Sequence, residues 1–167
     1  GIAGGEKLVV LAYQERANRY KLNSCAATAQ SGSAGWTVSG SKSIVAAGDV
    51  ADAYLVPAKA DGKVALFLVE RSATGVSTRG YVTQDGSRAA EVTFANASAT
   101  LVTLDGQTAL EHAVDIGIAA ACAEGLGVMD KTMALTAEYM NTRKQFGVAL
   151  SSFQALRHRM ADMKMQL

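Results

Sequence analysis

Proline is almost absent, with one residue in 167. That excludes a Pro-rich linker, and no low-complexity tract interrupts the chain. Cysteine is scarce as well. Cys25 and Cys122 lie far apart, with no CxxC and no neighbouring pair of histidines. A disulfide scaffold or a zinc site needs more ligands than this, so both thiols are expected to be small buried hydrophobes in a reducing compartment, here the cytoplasm. An excess of one charge is also lacking. Sixteen Lys and Arg face 15 Asp and Glu, a net charge of +1. Neither the basic footprint of a nucleic-acid binder nor an acidic interaction tail is present.

Uninterrupted apolar runs are short. A bilayer span needs about 20 residues, and the longest Ala- and Gly-rich stretches are broken by Asp115, Glu124 and Asp130, so no membrane span is expected. The opening Gly1-Ile2-Ala3-Gly4-Gly5 has no basic segment before an apolar one, so it does not read as a signal peptide. It has no initiating Met, and loss of N-terminal sequence is expected. What is present is a globular composition: 49% apolar and 19% charged residues. The length suits one domain, or one domain and part of another.

The hydrophobic pattern divides the chain in two. Up to about residue 104, short apolar runs occur at 8–11, 25–30, 36–39, 43–45, 53–56, 64–69, 76–82 and 91–94. Turn signals separate them: Ser31-Gly32-Ser33 with Gly35, Gly48-Asp49, Asp61-Gly62 and Asp85-Gly86. Asp61-Gly62 between two apolar runs predicts a two-residue hairpin. Many short strands with no intervening helix predict an antiparallel barrel or sandwich.

From about Gln107 the apolar period becomes three to four. Between Ile116 and Met129 Glu124 is the only charge, and Ala119, Ala120, Ala121, Gly125 and Gly127 are small. Such a helix is expected inside a bundle, with neighbours close to its small residues. A connector over 143–151 follows, then a second helix from Ser151 or Ser152 with Phe153, Leu156, Met160, Met163 and Leu167 on its apolar face. Ser151-x-x-Gln154 has the form of a capping box. No Gly, Asn or Pro marks the end of that helix. Two helices, one apolar all round, cannot bury each other, so cover by further helices or another subunit is expected. The fold class is α+β: a β-barrel or sandwich at 1–104, N-terminally incomplete, followed by part of an α-helical bundle at 105–167.

A search for familiar catalytic sets finds no phosphate-binding P-loop, no HExxH and no GxSxG. Gly125-Leu126-Gly127 lies mid-helix without a preceding strand, so it is no dinucleotide fingerprint. His112 and His158 lie in different helices without partners, and read as surface or structural residues. Glu111 and Asp115 share a helix face four residues apart, as an acid–base pair or as a solvated first turn. More informative is Tyr139-Met140-Asn141-Thr142-Arg143-Lys144-Gln145-Phe146-Gly147, leading to Phe153-Gln154. Arg143 offers a planar fork suited to phosphate, the two Phe offer faces to a ring system, and a helix N-terminus follows. The same residues could equally serve packing and capping.

These residues carry a resemblance. Arg143-Lys144-Gln145-Phe146-Gly147, then Phe153-Gln154 and Ala161-Asp162-Met163, resembles the Arg-x-Thr/Gln-Phe-Gly, Phe/His-Gln and Ala-Asp-Met signature of acyl-CoA dehydrogenases. Gly35-Trp36-Thr37-Val38-Ser39-Gly40-Ser41-Lys42 resembles the family's Gly-x-x-Leu/Ile-x-Gly-x-Lys strand, and Ala51-Asp52-Ala53-Tyr54-Leu55-Val56 its Ala-Asp strand. The run Leu11-Ala12-Tyr13-Gln14-Glu15-Arg16 and the context of Arg143-Lys144-Gln145-Phe146-Gly147 are similar to the small subunit of bacterial pimeloyl-CoA dehydrogenases.

The resemblance implies FAD as cofactor and an acyl-CoA substrate oxidised to its trans-2-enoyl form. It implies an electron-transfer flavoprotein as partner, and a homo- or hetero-oligomer such as a tetramer. Arg143 would bind the FAD pyrophosphate or ADP portion, typically that of a neighbouring subunit, with Gln145, Phe146, Phe153 and Gln154 completing that site. Ile44-Val45-Ala46 falls where the family has Trp, then Ile or Val, then Ser or Thr beside the flavin, and only Val45 matches. Tyr13-Gln14-Glu15-Arg16-Ala17-Asn18-Arg19-Tyr20 falls where the family has x-Thr-Glu-Pro-x-Ala-Gly-Ser, and Glu15 matches. Tyr13, Gln14 and Glu15 would face the flavin, and Tyr20 and Asp115 the acyl-CoA. The Arg often found three residues beyond that Asp is Ile118 here.

No catalytic base is assigned. In most of the family it lies beyond Leu167, and in a minority at the position of Gly117. The isolated chain is therefore expected not to turn over substrate. Two other expectations share the scaffold: a flavin oxidase or monooxygenase, and a non-catalytic partner subunit.

Overall fold

A computed structural model describes residues 1–18 and 20–167. Arg19, part of the loop quoted above, lies outside the described residues. The chain separates into two contact units, Gly1–Ala113 and Val114–Leu167.

The first unit is built from seven strands: β1 (Val9–Leu11), β2 (Thr28–Gly32), β3 (Gly35–Ala46), β4 (Ala53–Ala60), β5 (Lys63–Glu70), β6 (Val76–Val82) and β7 (Arg88–Thr103). Strand β4 pairs with β2, β2 with β3, β3 with β7, β7 with β5, and β5 again with β4. That ring is a closed five-stranded barrel, which leaves no long unpaired edge within it. Strand β1 adds to β4, and β6 adds to β7. The expected β domain is present, with one correction: the β1–β4 and β2–β4 pairings are parallel.

Several expected strands are shorter than the real ones, because a strand can continue past a bulge. The separate runs at 36–39 and 43–45 belong to one strand, β3, and the run at 91–94 to the 16-residue β7. The Asp61-Gly62 hairpin forms as expected, with both residues at positive φ, as a tight two-residue turn requires. The lone proline also has a place. Pro57 sits in β4 between Leu55, which registers with β1, and Lys59, which registers with β2. There β4 has no ladder partner on that side, so the missing N–H costs little.

The barrel interior is filled by Val38, Val45, Tyr54, Val56, Phe67, Val69, Val92 and Phe94, all buried. Tyr54 and Phe94 meet edge to face at 5.8 Å, and the Tyr54 hydroxyl donates to Gly48 O at 2.8 Å. Its polar end is thus satisfied inside the core.

Helix α1 runs over Gly106–Thr142. Asp105 Oδ1 accepts from Thr108 N at 3.4 Å at its start. A Cβ at Gly106 would lie 2.5 Å from Ala65 C, so only glycine lets α1 begin against β5. The division between the two units falls inside this helix.

In the second unit, a two-strand hairpin, β8 (Lys144–Gln145) and β9 (Val148–Ala149), follows α1. After it come a 3-10 turn (Leu150–Ser152) and helix α2 (Gln154–Gln166). The expected capping box does not form: Phe153 occupies the cap position of α2 without a side-chain cap. Ser151 and Ser152 lie in the 3-10 turn, and Ser152 Oγ donates back to Ala149 O at 2.7 Å.

Within this chain Leu110, Met133 and Met140 of α1 are buried, but many of its other apolar residues are not covered. Ile116, Ile118, Leu126, Val128 and Met129 are all at least half exposed. A Cβ at Gly117, Gly125 or Gly127 would touch nothing. Cys122 is exposed too, against expectation, while Cys25 is buried. By length and composition α1 is apolar enough to cross a membrane, with a mean hydropathy of 1.3 over 18 residues. Asp115, Glu124 and Asp130, the charges expected to break its apolar stretches, all lie within this helix.

Candidate functional site

The site in the barrel unit begins with an irregularity in a strand. Strand β3 pairs with β7 at Lys42–Val92 and again at Val45–Ala90. Ser43 and Ile44 therefore oppose Glu91 alone, a bulge that turns Ile44 to φ +52. Bulges re-aim side chains. Here the result is that Ile44, a large aliphatic group, is 59% exposed.

Facing the bulge is the loop after β1. Ser43 N donates to Gln14 O at 2.8 Å, tying the two segments together. Between them lies an open cleft of about 370 Å³, lined by Gln14, Glu15, Arg16, Tyr20, Ser43, Ile44 and Glu91. Its rim is charged. Arg16 Nε lies 3.7 Å from Glu91 Oε2, and the Tyr81 hydroxyl donates to Glu91 Oε1 at 3.3 Å. Burial first, then the Glu91 charge, raises the Tyr81 phenol above its ordinary value.

Beneath the cleft lies a buried ion pair. Lys42 is fully buried, and its Nζ donates to Glu15 Oε1 at 2.7 Å. Glu15 Oε1 also accepts from Ala27 N at 3.0 Å, and Oε2 from Ala26 N and Asn18 Nδ2, each at 2.7 Å. The Cys25 thiol lies 3.5 Å from Oε1. Burial opposes ionisation of Glu15, but the Lys42 ammonium and the two amides outweigh it and hold the carboxyl below its ordinary value. Burial pushes the Cys25 thiol up, so it sits beside the pair as a neutral group. Gly40 makes the arrangement possible. At φ +147, a Cβ there would lie 2.7 Å from Ala27 Cβ.

These distances sort the residues expected to face the flavin, and Tyr20, expected to face the acyl-CoA. Gln14, Tyr20 and Ile44 line the cleft with side chains available. Glu15 reaches it, but its carboxylate is engaged by loop amides and Lys42, so its role is to shape the loop. Val45 does not reach the cleft: it points into the barrel core at 2% exposure, because the bulge sets alternate residues on opposite faces. Ala46 lies on an adjoining groove with Thr83, Asp85 and Arg88. Tyr13 is half-buried, and its hydroxyl accepts from Gln14 Nε2 at 3.1 Å. Lys42 was visible only as the last letter of a motif. Its burial opposite Glu15 needed the fold.

The second candidate group lies in the helical unit. Arg143 N completes the last turn of α1 by donating to Tyr139 O, and Leu150 N closes the hairpin by donating to Arg143 O at 2.9 Å. Phe146 and Gly147 form the turn, at φ +53 and +82. A bulky aromatic is strained there, and Phe146 is also 92% exposed. Its ring meets Phe153 edge to face at 6.3 Å. Arg143, Gln145 and Gln154 are exposed beside it in sequence. The hairpin thus presents a guanidinium, an amide and an aromatic ring to whatever approaches it. Asp115 is exposed on α1, as is Glu111, which accepts from Gln107 Nε2. Both histidines are exposed, and no group of three metal-ligating side chains occurs among the described residues.

Comparison with known proteins places these features. The sequence profile of the acyl-CoA dehydrogenase middle domain matches residues 11–97, and that of the acyl-CoA dehydrogenase C-terminal domain matches residues 105–167. The chain is 34% identical over 131 residues to acyl-CoA dehydrogenase FadE27 of Mycobacterium tuberculosis, covering 77% of this chain and 35% of that protein. A solved FAD-dependent dehydrogenase superposes with TM-score 0.89 at 27% identity, over 98% of this chain and 48% of that one. The ChsE4-ChsE5 complex of Mycobacterium tuberculosis contains a chain of the same fold, with TM-score 0.77 and 28% identity over 95% of this chain and 42% of that one. The chain thus spans less than half the length of each. The barrel with its bulge-lined cleft, and the helix–hairpin–helix that follows, coincide with the two profiles: this chain belongs to the acyl-CoA dehydrogenase family.

Proposed function

We propose that the chain contributes the β-barrel and the first helices of an FAD-dependent acyl-CoA dehydrogenase, which converts an acyl-CoA thioester to the trans-2-enoyl-CoA. The observation that carries this reading is the cleft between loop 13–18 and the Ser43–Ile44 bulge, inside the region that matches the middle domain. Its donor set fits a flavin. The Gln14 amide and the Ser43 hydroxyl offer hydrogen bonds to a polar ring edge, and exposed Ile44 offers an apolar face. Bound FAD supplies hydride acceptance, a chemistry that side chains lack.

This chain's own residues bind, orient and exclude water. Tyr20 and Ile44 flank the cleft, and the buried pair beneath them keeps its floor closed. Arg143, Gln145, Phe146, Phe153 and Gln154 suit the phosphate and adenine portion of the cofactor, the guanidinium through paired N–H donors and the rings by stacking. Asp115 is the residue of α1 proposed to meet acyl-CoA. Glu15 is excluded as the base that removes the α-proton, because its carboxylate already accepts from Lys42, Asn18 and two amides. That base is proposed to come from chain outside these residues, so the isolated chain would not turn over substrate.

A second reading is a partner subunit that keeps the fold without the chemistry. Two observations favour it. Neither Val45 nor Ala46 presents a hydroxyl to the cleft, and α1 exposes apolar surface that suits cover by other helices. The similarity to a chain of a two-protein complex agrees with it. The pimeloyl-CoA resemblance, an electron-transfer flavoprotein as acceptor, and oxidase chemistry remain proposals within the same frame. Absorbance of the purified protein decides between the readings. Yellow colour bleached by an acyl-CoA under anaerobic conditions is the expected result. A colourless protein that binds a homologous subunit supports the partner reading and sinks the first.

A further inference from the structure

Both walls of the cleft hang from one buried ion pair. One wall is the loop carrying Gln14, Glu15 and Arg16, and the other is the bulge carrying Ser43 and Ile44. Glu15 belongs to the first wall. Lys42 immediately precedes the second, at the last regular pair with β7 before the bulge. The 2.7 Å bond between them runs beneath the cleft floor, and the Ser43–Gln14 backbone bond bridges the walls beside it. Three further donors, Ala26 N, Ala27 N and Asn18 Nδ2, bind the same carboxylate. Asn18 is itself held to Ser24, whose hydroxyl donates to Asn18 Oδ1 at 2.9 Å. Asn18, Ser24, Ala26 and Ala27 of the loop are therefore gathered around one carboxylate.

A pair with only a stabilising role could sit anywhere in the barrel. This one sits where the loop and the bulge meet. The bulge leaves Ser43 and Ile44 without regular ladder partners, and the described residues of the loop form no helix or strand. The pair is the buried link between the walls; the Ser43–Gln14 backbone bond and the exposed Arg16–Glu91 contact lie beside it.

We infer that Lys42 is a positioning residue, coupling loop 14–27 to the Ser43–Ile44 bulge through Glu15 and thereby setting the width of the cleft. The identity of the occupant, FAD, rests on the function proposed above; the coupling itself does not.

Three variants test it: Lys42→Met, Glu15→Gln and the two combined. Amide hydrogen exchange is followed in the ligand-free chain, and FAD binding is measured by titration of the protein containing it. Lys42→Met should cost the Ser43, Ala26 and Ala27 amides tenfold or more in protection beyond any change at the barrel amides of β4 and β5. The double variant removes both charges and leaves neither orphaned. It should restore the barrel amides while Ser43 stays deprotected and FAD affinity stays at least tenfold reduced. If Ser43 protection simply follows the barrel amides in all three, or if the double variant binds FAD as the unaltered protein does, the inference is overturned. Should Lys42→Met fail to fold, the double variant carries the same comparison. If the unaltered protein binds no FAD, the functional reading falls, and Ser43 exchange alone decides the coupling.

Discussion

Lys42 Nζ donates a 2.7 Å hydrogen bond to Glu15 Oε1, and the lysine side chain has no exposure to water. Breaking such a pair from one side leaves an uncompensated buried charge, which costs about 3–5 kcal/mol. Lys42→Met should lower the stability of the barrel by that amount in urea unfolding. Glu15→Gln combined with Lys42→Met should recover most of it. A single variant within about 0.5 kcal/mol of the unaltered chain would show that the pair is not closed in solution.

The same pair predicts an acid limb. The Glu15 carboxyl is held below its ordinary value of 4.5 in the folded chain. The unfolded state then binds the proton more tightly, so this contribution to stability is present above pH 4.5 and is lost as the pH falls through the folded value. Thermal melts recorded down the acid range should show a falling midpoint. Glu15→Gln should flatten that fall, and an equally steep fall in the variant would assign it to other carboxylates.

Gly40→Ala tests the close approach. The substituted Cβ would meet Ala27 Cα at 2.8 Å, which is backbone, at a φ of +147 that side-chain-bearing residues avoid. Strain and overpacking together should cost at least about 2 kcal/mol. Because Ala27 N is a Glu15 donor, Ala26 and Ala27 should also exchange faster.

Arg143→Ala should separate stability from ligand binding. The side chain is exposed and makes no ion pair among the described residues. Its loss should change unfolding free energy by less than about 0.5 kcal/mol. In the flavin-loaded protein, loss of a charged hydrogen bond to phosphate is worth about 1.5–3 kcal/mol, so FAD should bind roughly tenfold or more weakly. Unchanged flavin content would remove Arg143 from the site.

Much of the fold was legible because its signals are local. Asp61-Gly62 marks a hairpin through the backbone freedom of its two residues, and the change of hydrophobic period near Gln107 marks the passage from strands to helix. The parallel pairings of β1 and β2 with β4 were not legible, because register between distant strands leaves no local mark. Nor was the hairpin at 144–149, whose strands are two residues each and whose turn places Phe146 where Asn or Gly is usual. The absence of a capping box at Ser151 has a similar cause. A 3-10 turn over Leu150–Ser152 moved the start of α2 on to Gln154, two or three residues later than expected, and spacing alone does not reveal which residue turns.

The candidate site divides along the same line. The sequence by itself determined the family, because its motifs are runs of residue types whose chemistry and spacing survive without coordinates. It also determined that Gly40 and Lys42 stand two residues apart on one strand. Only the tertiary structure decided what they do. It inserted a bulge that turns Val45 into the core and Ile44 out, and it brought Lys42 beneath a loop 27 residues away in the chain. Side-chain direction at a bulge and the partner of a buried charge are set by strand register and closure of the barrel, which are properties of the whole unit.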